Sequence, residues 1–170
     1  MKNLEIKAVA PDLARHRRVL RRLGAKKQPL LRQTDWYFKV PAGRLKLRAF
    51  GAQRSAQLIV YFRPDKRAAR TSDFQCLPVR DQAGTRRLLA AMFGLSGCVR
   101  KQREVWLLRN ARIHLDRVAD LGTFLEIEVV VSRGAKQAAA LMGTLRSALK
   151  IEPSDLIAGS YIEMRGRERT

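Results

Sequence analysis

The chain has 170 residues, of which 46% are hydrophobic, and this content excludes an intrinsically disordered protein. No apolar run is long enough to span a bilayer, and the N-terminal MKNLEIKAVAPD lacks the apolar core of a signal peptide. The net charge of +20 indicates an anionic partner, unless an arginine-rich composition is simply typical of the source. We therefore expect a cytoplasmic protein with a single domain over residues 1–170.

The first half of the chain predicts five strands and one helix. Residues Leu4 to Val9 alternate apolar and charged side chains, as a strand with one buried face does. Asp12 is a suitable N-cap for a helix that Gly24 ends. The turn Pro41-Ala42-Gly43 predicts a β-hairpin. The predicted strands are 4–9, 32–40, 44–50, 57–63 and 71–79.

The second half predicts two long helices and the remaining strands. A helix begins at Asp81 and ends at Gly94, and Arg109-Asn110 is the turn of a second hairpin. The other predicted elements are a helix over 134–149, a short helix over 154–157, strands over 98–108, 111–118, 124–131 and 159–164, and a frayed tail over 165–170. About eight strands and three helices predict an antiparallel α+β fold, and closure into a barrel would remove exposed strand edges.

Charged residues share one face of several predicted strands. FLEIEVVV is the most apolar strand, yet Glu126 and Glu128 lie on the same side of it. A buried carboxylate is costly unless it is paired, bound to a metal or solvated. The other charged faces are Glu5 and Lys7; Arg44, Lys46 and Arg48; Lys101 and Arg103; and Arg112, His114 and Asp116.

Two interpretations of these faces remain open. Antiparallel strands with one face in water produce the same alternation without forming a site. If the faces instead converge inside a closed barrel, they form a wet cavity with an acidic side and a basic side. Carboxylates suit Mg²⁺ or Mn²⁺, and lysine and arginine suit phosphate oxygens. Such a cavity would suit a metal-bound polyphosphate.

The sequence resembles the CYTH domain family of triphosphate tunnel metalloenzymes, and within it the branch similar to class IV adenylyl cyclases. The similar segments follow the family's order along the whole chain. They are NLEIK (3–7), QTDWYFKVPAGRLKLR (33–48), RKQREVWL (100–107), ARIHLDRVADLGTFLEIEV (111–129) and GSYIEM (159–164). The resemblance implies an eight-stranded antiparallel β-barrel, the triphosphate tunnel, with helices packed on its outside.

The resemblance also implies the residues of a site. The family's ExExK signature places Glu5 as a catalytic or metal-binding carboxylate and Lys7 as a catalytic phosphate ligand. The implied metal ligands are Glu5, Asp116, Glu126 and Glu128. The implied phosphate-binding residues are Lys7, Lys46, Arg48, Lys101, Arg103 and Arg112. The implied cofactor is Mg²⁺ or Mn²⁺, and the implied partner is ATP, inorganic triphosphate or thiamine triphosphate.

Two positions depart from the family pattern. Asn3 replaces the first glutamate of ExExK, and its amide oxygen can accept a hydrogen bond but brings no charge. Phe62 stands where the cyclases carry a lysine, and Arg63 is expected to point to the opposite side of that strand. Either change can weaken triphosphate chemistry or alter the substrate.

Three functions are compatible with these observations. The first is a metal-dependent enzyme, with an adenylyl cyclase that converts ATP to cAMP and pyrophosphate ahead of a triphosphatase. The second is a polyphosphate- or nucleotide-binding protein that has lost efficient chemistry. The third, a nucleic-acid binder, is least favoured, because the aromatic residues fit strand packing as well as base stacking. We expect no membrane association; the family often forms homodimers, and nothing in the sequence tests for one here.

Overall fold

The computed structural model describes residues 2–51, 56–62, 64, 67–132 and 134–167. In chain order the elements are β1 (Lys2–Val9), α1 (Leu13–Arg22), β2 (Lys26–Lys27), β3 (Leu31–Phe38), β4 (Arg44–Phe50), β5 (Ala56–Phe62), β6 (Arg70–Val79), α2 (Gln82–Phe93), β7 (Leu95–Leu108), β8 (Ala111–Val118), β9 (Gly122–Val130), α3 (Ala135–Leu149), a 3₁₀ turn (Pro153–Asp155) and α4 (Tyr161–Arg167). None of the helices in these ranges combines the length and the apolar content needed to cross a membrane.

The strands form a closed antiparallel barrel. Its order is β7-β3-β4-β5-β6-β1-β9-β8, and β8 pairs with β7 to complete the circle of eight strands. The two-residue strand β2 is an addition that pairs with the end of β7. Each barrel strand is therefore paired on both sides, as closure requires. The predicted α+β fold with an eight-stranded barrel is confirmed.

An extensive apolar cluster lies between the barrel and the helices on its outside, and a smaller one includes Tyr37 and Tyr161, which line the cavity. Ile6, Ile113 and Ile127 face outward from β1, β8 and β9 and are completely buried. They pack in one cluster with Leu20 from α1 and Leu145 from α3. Because side chains alternate along a strand, the residues between these isoleucines face the interior of the barrel. The apolar residues on the outside thus direct the charged residues inward.

The predicted strand over 159–164 is wrong, because this segment begins α4. The backbone N–H of Ser160 donates to the Glu163 carboxylate over 2.8 Å. This contact is the glutamate half of a Ser-x-x-Glu capping box, which ends the preceding loop and starts a helix. Helical spacing turns Tyr161 toward the barrel interior. Of the predicted frayed tail, 165–167 belong to α4, whereas 168–170 lie outside the described residues, as does Arg63.

Candidate active site

The interior of the barrel contains a cavity of about 430 Å³. Inward-facing side chains from β1, β4, β7, β8 and β9 bring most of the predicted site residues to its wall. The predicted residues that line it are Glu5, Lys7, Lys46, Arg48, Lys101, Arg103, Arg112, Glu126 and Glu128. Asp116 is the predicted site residue that does not line it. The charged strand faces therefore converge on one space.

The basic side of the cavity is organised around Asp35, a residue that the sequence analysis missed. Asp35 lies on β3 and is completely buried. Arg48 donates two hydrogen bonds of 2.7 Å to its two carboxylate oxygens. The ammonium nitrogens of Lys101 and Lys46 lie 2.9 and 3.3 Å from Asp35 Oδ2. One buried carboxylate thus faces three cations, which leaves this side with excess positive charge.

This excess charge changes the protonation of the cluster. Burial alone would raise the pKa of Asp35, but Arg48, Lys101 and Lys46 hold it well below its usual value. Burial lowers the pKa of Lys101 to about 8, since the attraction of Asp35 is offset by repulsion from Arg48 and Arg103. Burial and the adjacent Arg48 likewise place the pKa of Lys46 well below its usual value. A bound anion would relieve the repulsion among these cations.

The acidic side of the cavity is formed by Glu126 and Glu128 on β9. Arg103 Nη2 lies 2.7 Å from Glu126 Oε2, and Lys7 Nζ lies 3.7 Å from Glu126 Oε1. Glu128 pairs with Arg112 over 2.9 Å. Burial would raise the pKa of Glu126, but Lys7 and Arg103 hold it well below its usual value. Glu126 is therefore ionised at neutral pH.

Asp116 lies behind the cavity wall rather than on it. Its two carboxylate oxygens accept hydrogen bonds of 2.7 and 2.6 Å from the Arg103 guanidinium. The hydroxyl of Tyr161 also donates to Asp116 Oδ2 over 2.8 Å. The Tyr161 ring in turn packs against Lys7, whose ammonium lies 3.9 Å from the ring centre. The structure thus places this predicted metal ligand where it fixes the orientation of Arg103.

Glu5 is held by Arg70, a second residue that the sequence analysis missed. The two residues are register partners on β1 and β6, and Arg70 Nε donates to Glu5 Oε1 over 3.2 Å. Arg70 Nη1 donates to the carbonyl oxygens of Ile157 and Ala158 over 3.1 and 2.7 Å. Arg70 therefore links Glu5 to the loop that leads into α4.

Asn3 occupies the cavity position of the missing glutamate. Its amide is best satisfied when the oxygen accepts from Arg112 Nη2 over 3.0 Å and the nitrogen donates to the Lys2 carbonyl over 3.2 Å. Asn3 thus contributes a neutral acceptor where the family signature has a carboxylate.

The expectation that Phe62 faces the tunnel is wrong. Phe62 is 55% exposed and does not line the cavity. The residues of β5 that do line it are Gln57, Ile59 and Tyr61. The alternation of β5 therefore has the opposite phase to the one assumed from the sequence. None of these three lining residues is a cation, so β5 differs from the charged strands opposite.

The acidic side of the cavity has donors that fit a divalent metal ion. His114, Glu126 and Glu128 each offer a ligand atom, and these atoms lie within 4.8 Å of one another. His114 Nδ1 is buried and has no hydrogen-bond partner among the residues that the structure describes. Carboxylate oxygens and an imidazole nitrogen are common ligands of divalent ions. The sequence analysis did not identify His114 as a site residue, because no other metal-binding residue lies at the sequence spacing of a zinc site. The signal that could have identified it is that it shares a strand face with Arg112.

A closed antiparallel barrel with cations and carboxylates on its inner wall is the triphosphate tunnel fold. The chain belongs to the CYTH domain family, whose model matches residues 1–161. Members of this family are generally enzymes that act on triphosphates and use divalent metal ions. No curated protein matches the chain.

Solved structures share this fold over nearly the whole chain. The PH1012 protein from Pyrococcus horikoshii OT3 is 26% identical with a TM-score of 0.86, over 95% of this chain and 98% of that chain. A candidate adenylate cyclase from Vibrio parahaemolyticus is 16% identical with a TM-score of 0.76, over 96% and 97%. HpAC1 from Hippeastrum, a candidate adenylyl cyclase with a dominant triphosphatase activity, is 15% identical with a TM-score of 0.69, over 99% and 96%. The last two similarities show the fold alone.

Proposed function

We propose that the protein is a metal-dependent enzyme that binds a triphosphate in the barrel, and that its reaction is the conversion of ATP to cAMP and pyrophosphate. The observation that carries this proposal is the division of one cavity between the cation cluster around Asp35 and the acidic side at Glu126 and Glu128. The cation cluster supplies positive charge for phosphate oxygens, and the acidic side supplies ligands for Mg²⁺ or Mn²⁺. A cytoplasmic location and a homodimer remain predictions.

The cations would hold the phosphates and offset the charge that develops on the departing pyrophosphate. Lys46, Arg48 and Lys101 are already gathered within 3.3 Å of Asp35, so little reorganisation is needed when the anion enters. Arg103 is held by Asp116 and contacts Glu126, which places its guanidinium between the two sides of the cavity. We assign Asp116 the role of positioning Arg103.

Glu5 would orient or deprotonate the nucleophile. In cyclisation the ribose 3′-hydroxyl attacks the α-phosphate, the bond to the β-phosphate oxygen breaks, and the hydroxyl proton passes to a base. Glu5 lines the cavity and is oriented by Arg70, so it is the carboxylate best placed for that proton. When bound beside Glu126 and Glu128, a divalent ion withdraws charge from phosphate oxygens.

A triphosphatase that uses water as the nucleophile is the second candidate. The part of the wall formed by Phe50, Ile59 and Phe74 is apolar and would accommodate an organic group. These three side chains do not themselves distinguish adenine from another base or from thiamine, and Gln57 and Ser72 line the cavity beside them. The same phosphate and metal ligands would serve hydrolysis of the terminal phosphate, which releases orthophosphate. A protein that binds the triphosphate without turnover is the third possibility.

Product analysis distinguishes these three functions. The purified protein is incubated with Mg²⁺ or Mn²⁺ and, separately, with ATP, inorganic triphosphate or thiamine triphosphate. We expect cAMP and pyrophosphate from ATP, and we expect Glu5→Gln to slow their formation by about 10²–10⁴-fold. Glu104→Gln is the control, because Glu104 pairs with Arg17 and does not line the cavity. Orthophosphate without cAMP would establish the triphosphatase, and binding without any product would establish the third function.

The pKa of Lys101 predicts how triphosphate affinity depends on pH. Bound phosphate favours the charged ammonium, so binding takes up a proton once the pH exceeds the ligand-free pKa of about 8. We expect the Kd for inorganic triphosphate, measured by calorimetry without metal, to rise above that pH, approaching about tenfold per pH unit. The folding stability of the ligand-free protein depends on pH in the opposite direction. Between pH about 8 and 10.5, Lys101 is protonated in the unfolded chain but largely neutral in the folded one, so its contribution to the free energy of unfolding rises with pH.

Lys101→Arg is the matched variant for the pH measurement. A guanidinium stays charged throughout this range, so the step in Kd near the Lys101 pKa should disappear while affinity at lower pH persists. A wild-type Kd that stays constant up to about pH 9.5 would contradict the assignment of Lys101 as a titrating phosphate ligand.

A further inference from the structure

The imidazole of His114 has an unusual position on the acidic side of the cavity. His114 lies on β8 and is 5% exposed. Its Nδ1 atom is 3.6 Å from Glu126 Oε2 and 3.8 Å from Glu128 Oε1, and within the described part of the chain it has no hydrogen-bond partner. Both separations exceed the length of a normal N–H···O hydrogen bond. A buried polar atom in this state is costly unless something else satisfies it.

The two carboxylates lie too far from this nitrogen to accept a hydrogen bond from it, and each is paired with an arginine. Arg103 lies 2.7 Å from Glu126, and Arg112 lies 2.9 Å from Glu128. One ligand atom from each of His114, Glu126 and Glu128 lies within 4.8 Å of the other two. Ligands that each lie about 2.1–2.2 Å from one divalent ion are separated by about 3–4.4 Å. The observed spacings of 3.6 and 3.8 Å fall inside that range.

We propose that His114 is a nitrogen ligand of the metal site and that it makes this site prefer Mn²⁺ to Mg²⁺. Mg²⁺ binds oxygen ligands almost exclusively and holds its water tightly, whereas an imidazole nitrogen favours transition-metal ions. Mn²⁺ accepts both donor types, so two carboxylates and one imidazole suit it better than they suit Mg²⁺. This inference rests on the proposed function only in placing a divalent ion beside Glu126 and Glu128.

Pulsed electron paramagnetic resonance of bound Mn²⁺ tests the inference directly. A coordinated imidazole gives a ¹⁴N hyperfine coupling that carboxylate ligands do not give. The sequence has two histidines, His16 and His114, so the origin of a coupling can be assigned with two variants of an untagged protein. The probes are Mn²⁺ alone and Mn²⁺ with a methylene-bridged triphosphate, a slowly hydrolysed analogue that contains no nitrogen. We expect the coupling in the wild-type protein with at least one of the two probes.

His16→Gln is the matched control for His114→Gln. His16 lies on α1, is buried, and also has an Nδ1 atom without a hydrogen-bond partner, but it does not line the cavity. We expect His16→Gln to keep the coupling and His114→Gln to lose it. We also expect His114→Gln to bind Mn²⁺ at least about tenfold more weakly, with a smaller change for Mg²⁺.

The inference would be overturned if the wild-type protein gave no ¹⁴N coupling with Mn²⁺ alone or with Mn²⁺ and the triphosphate analogue, whether or not Mn²⁺ is bound. Unchanged Mn²⁺ affinity in a folded His114→Gln variant would also overturn it. This readout is independent of turnover. A coupling in a protein that yields no product would contradict the proposed reaction and leave the ligand assignment intact. Turnover without a coupling would support the reaction and contradict the assignment of His114 as a ligand.

Discussion

Replacing Asp35 with asparagine is expected to lower the free energy of unfolding by about 3–5 kcal/mol. Asp35 is completely buried and is the carboxylate that Arg48, Lys101 and Lys46 share. The variant keeps the size of the side chain but leaves these buried cations without their counter-charge, and removing one partner of a buried ion pair is far costlier than replacing the whole pair. Urea denaturation of the ligand-free protein measures the change.

Asp120→Asn is the matched control for Asp35→Asn. Asp120 pairs with Arg165 over 2.9 Å, but its side chain is 70% exposed, so the same substitution should cost no more than about 1 kcal/mol. Its backbone φ of 64° is one that asparagine tolerates.

Inorganic triphosphate should stabilise Asp35→Asn more than the wild-type protein. The anion supplies the charge that the variant lacks and no longer competes with a carboxylate for the same cations. An Asp35→Asn variant as stable as the wild type would show that the cluster does not depend on this residue. Equal stabilisation of both proteins by triphosphate would show that the anion binds elsewhere.

Replacing Glu126 with glutamine is expected to lower kcat/KM by about 10²–10³-fold. Glu126 faces three basic side chains of the cavity, with Arg103 at 2.7 Å, Lys7 at 3.7 Å and His114 at 3.6 Å. Glutamine keeps the shape but loses the charge that would bind the metal ion and balance these cations. The measurement is initial rate against substrate concentration in saturating Mn²⁺ with the substrate that product analysis identifies.

Glu104→Gln serves as the charge-matched control for Glu126→Gln. Glu104 is on the same barrel, but it faces α1, where Arg17 donates to it over 3.0 Å. Its replacement should leave kcat/KM within about twofold of the wild type, since surface ion pairs act locally. Unaltered turnover in a folded Glu126→Gln variant would remove this residue from the metal and phosphate chemistry.

The alternation of charge along a strand was enough to predict most of the cavity wall. Glu126 and Glu128 must share a face because strand side chains alternate, and the apolar residues between them belong to the outside core. Asp35 follows the same rule with Gln33 and Tyr37 on β3, all three being buried. It escaped prediction because no second charged residue shares its face of β3, and one acid forms no pattern by itself.

Contacts that depend on the register of the whole barrel escaped prediction for a different reason. The Arg70–Glu5 and Tyr161–Asp116 pairs join residues 65 and 45 positions apart in the sequence. Local patterns indicate which face a side chain occupies but not which residue it meets there. Segment 159–164 was misassigned because two local signals disagree there. A short apolar–polar alternation predicts a strand, whereas Ser160-x-x-Glu163 is the capping signal of a helix.

The apolar cluster on the outside of the barrel is separate from the charged residues of the cavity, and this affects how the scaffold can change during evolution. In most small barrels the interior is the core, so a new pocket removes packing that the fold needs. Here Ile6, Ile113 and Ile127 pack on the outside while their neighbours face the cavity. A substitution among the charged residues of the inner face therefore alters chemistry with little loss of apolar burial. One barrel can in this way acquire different reactions while the packing that maintains it stays unchanged.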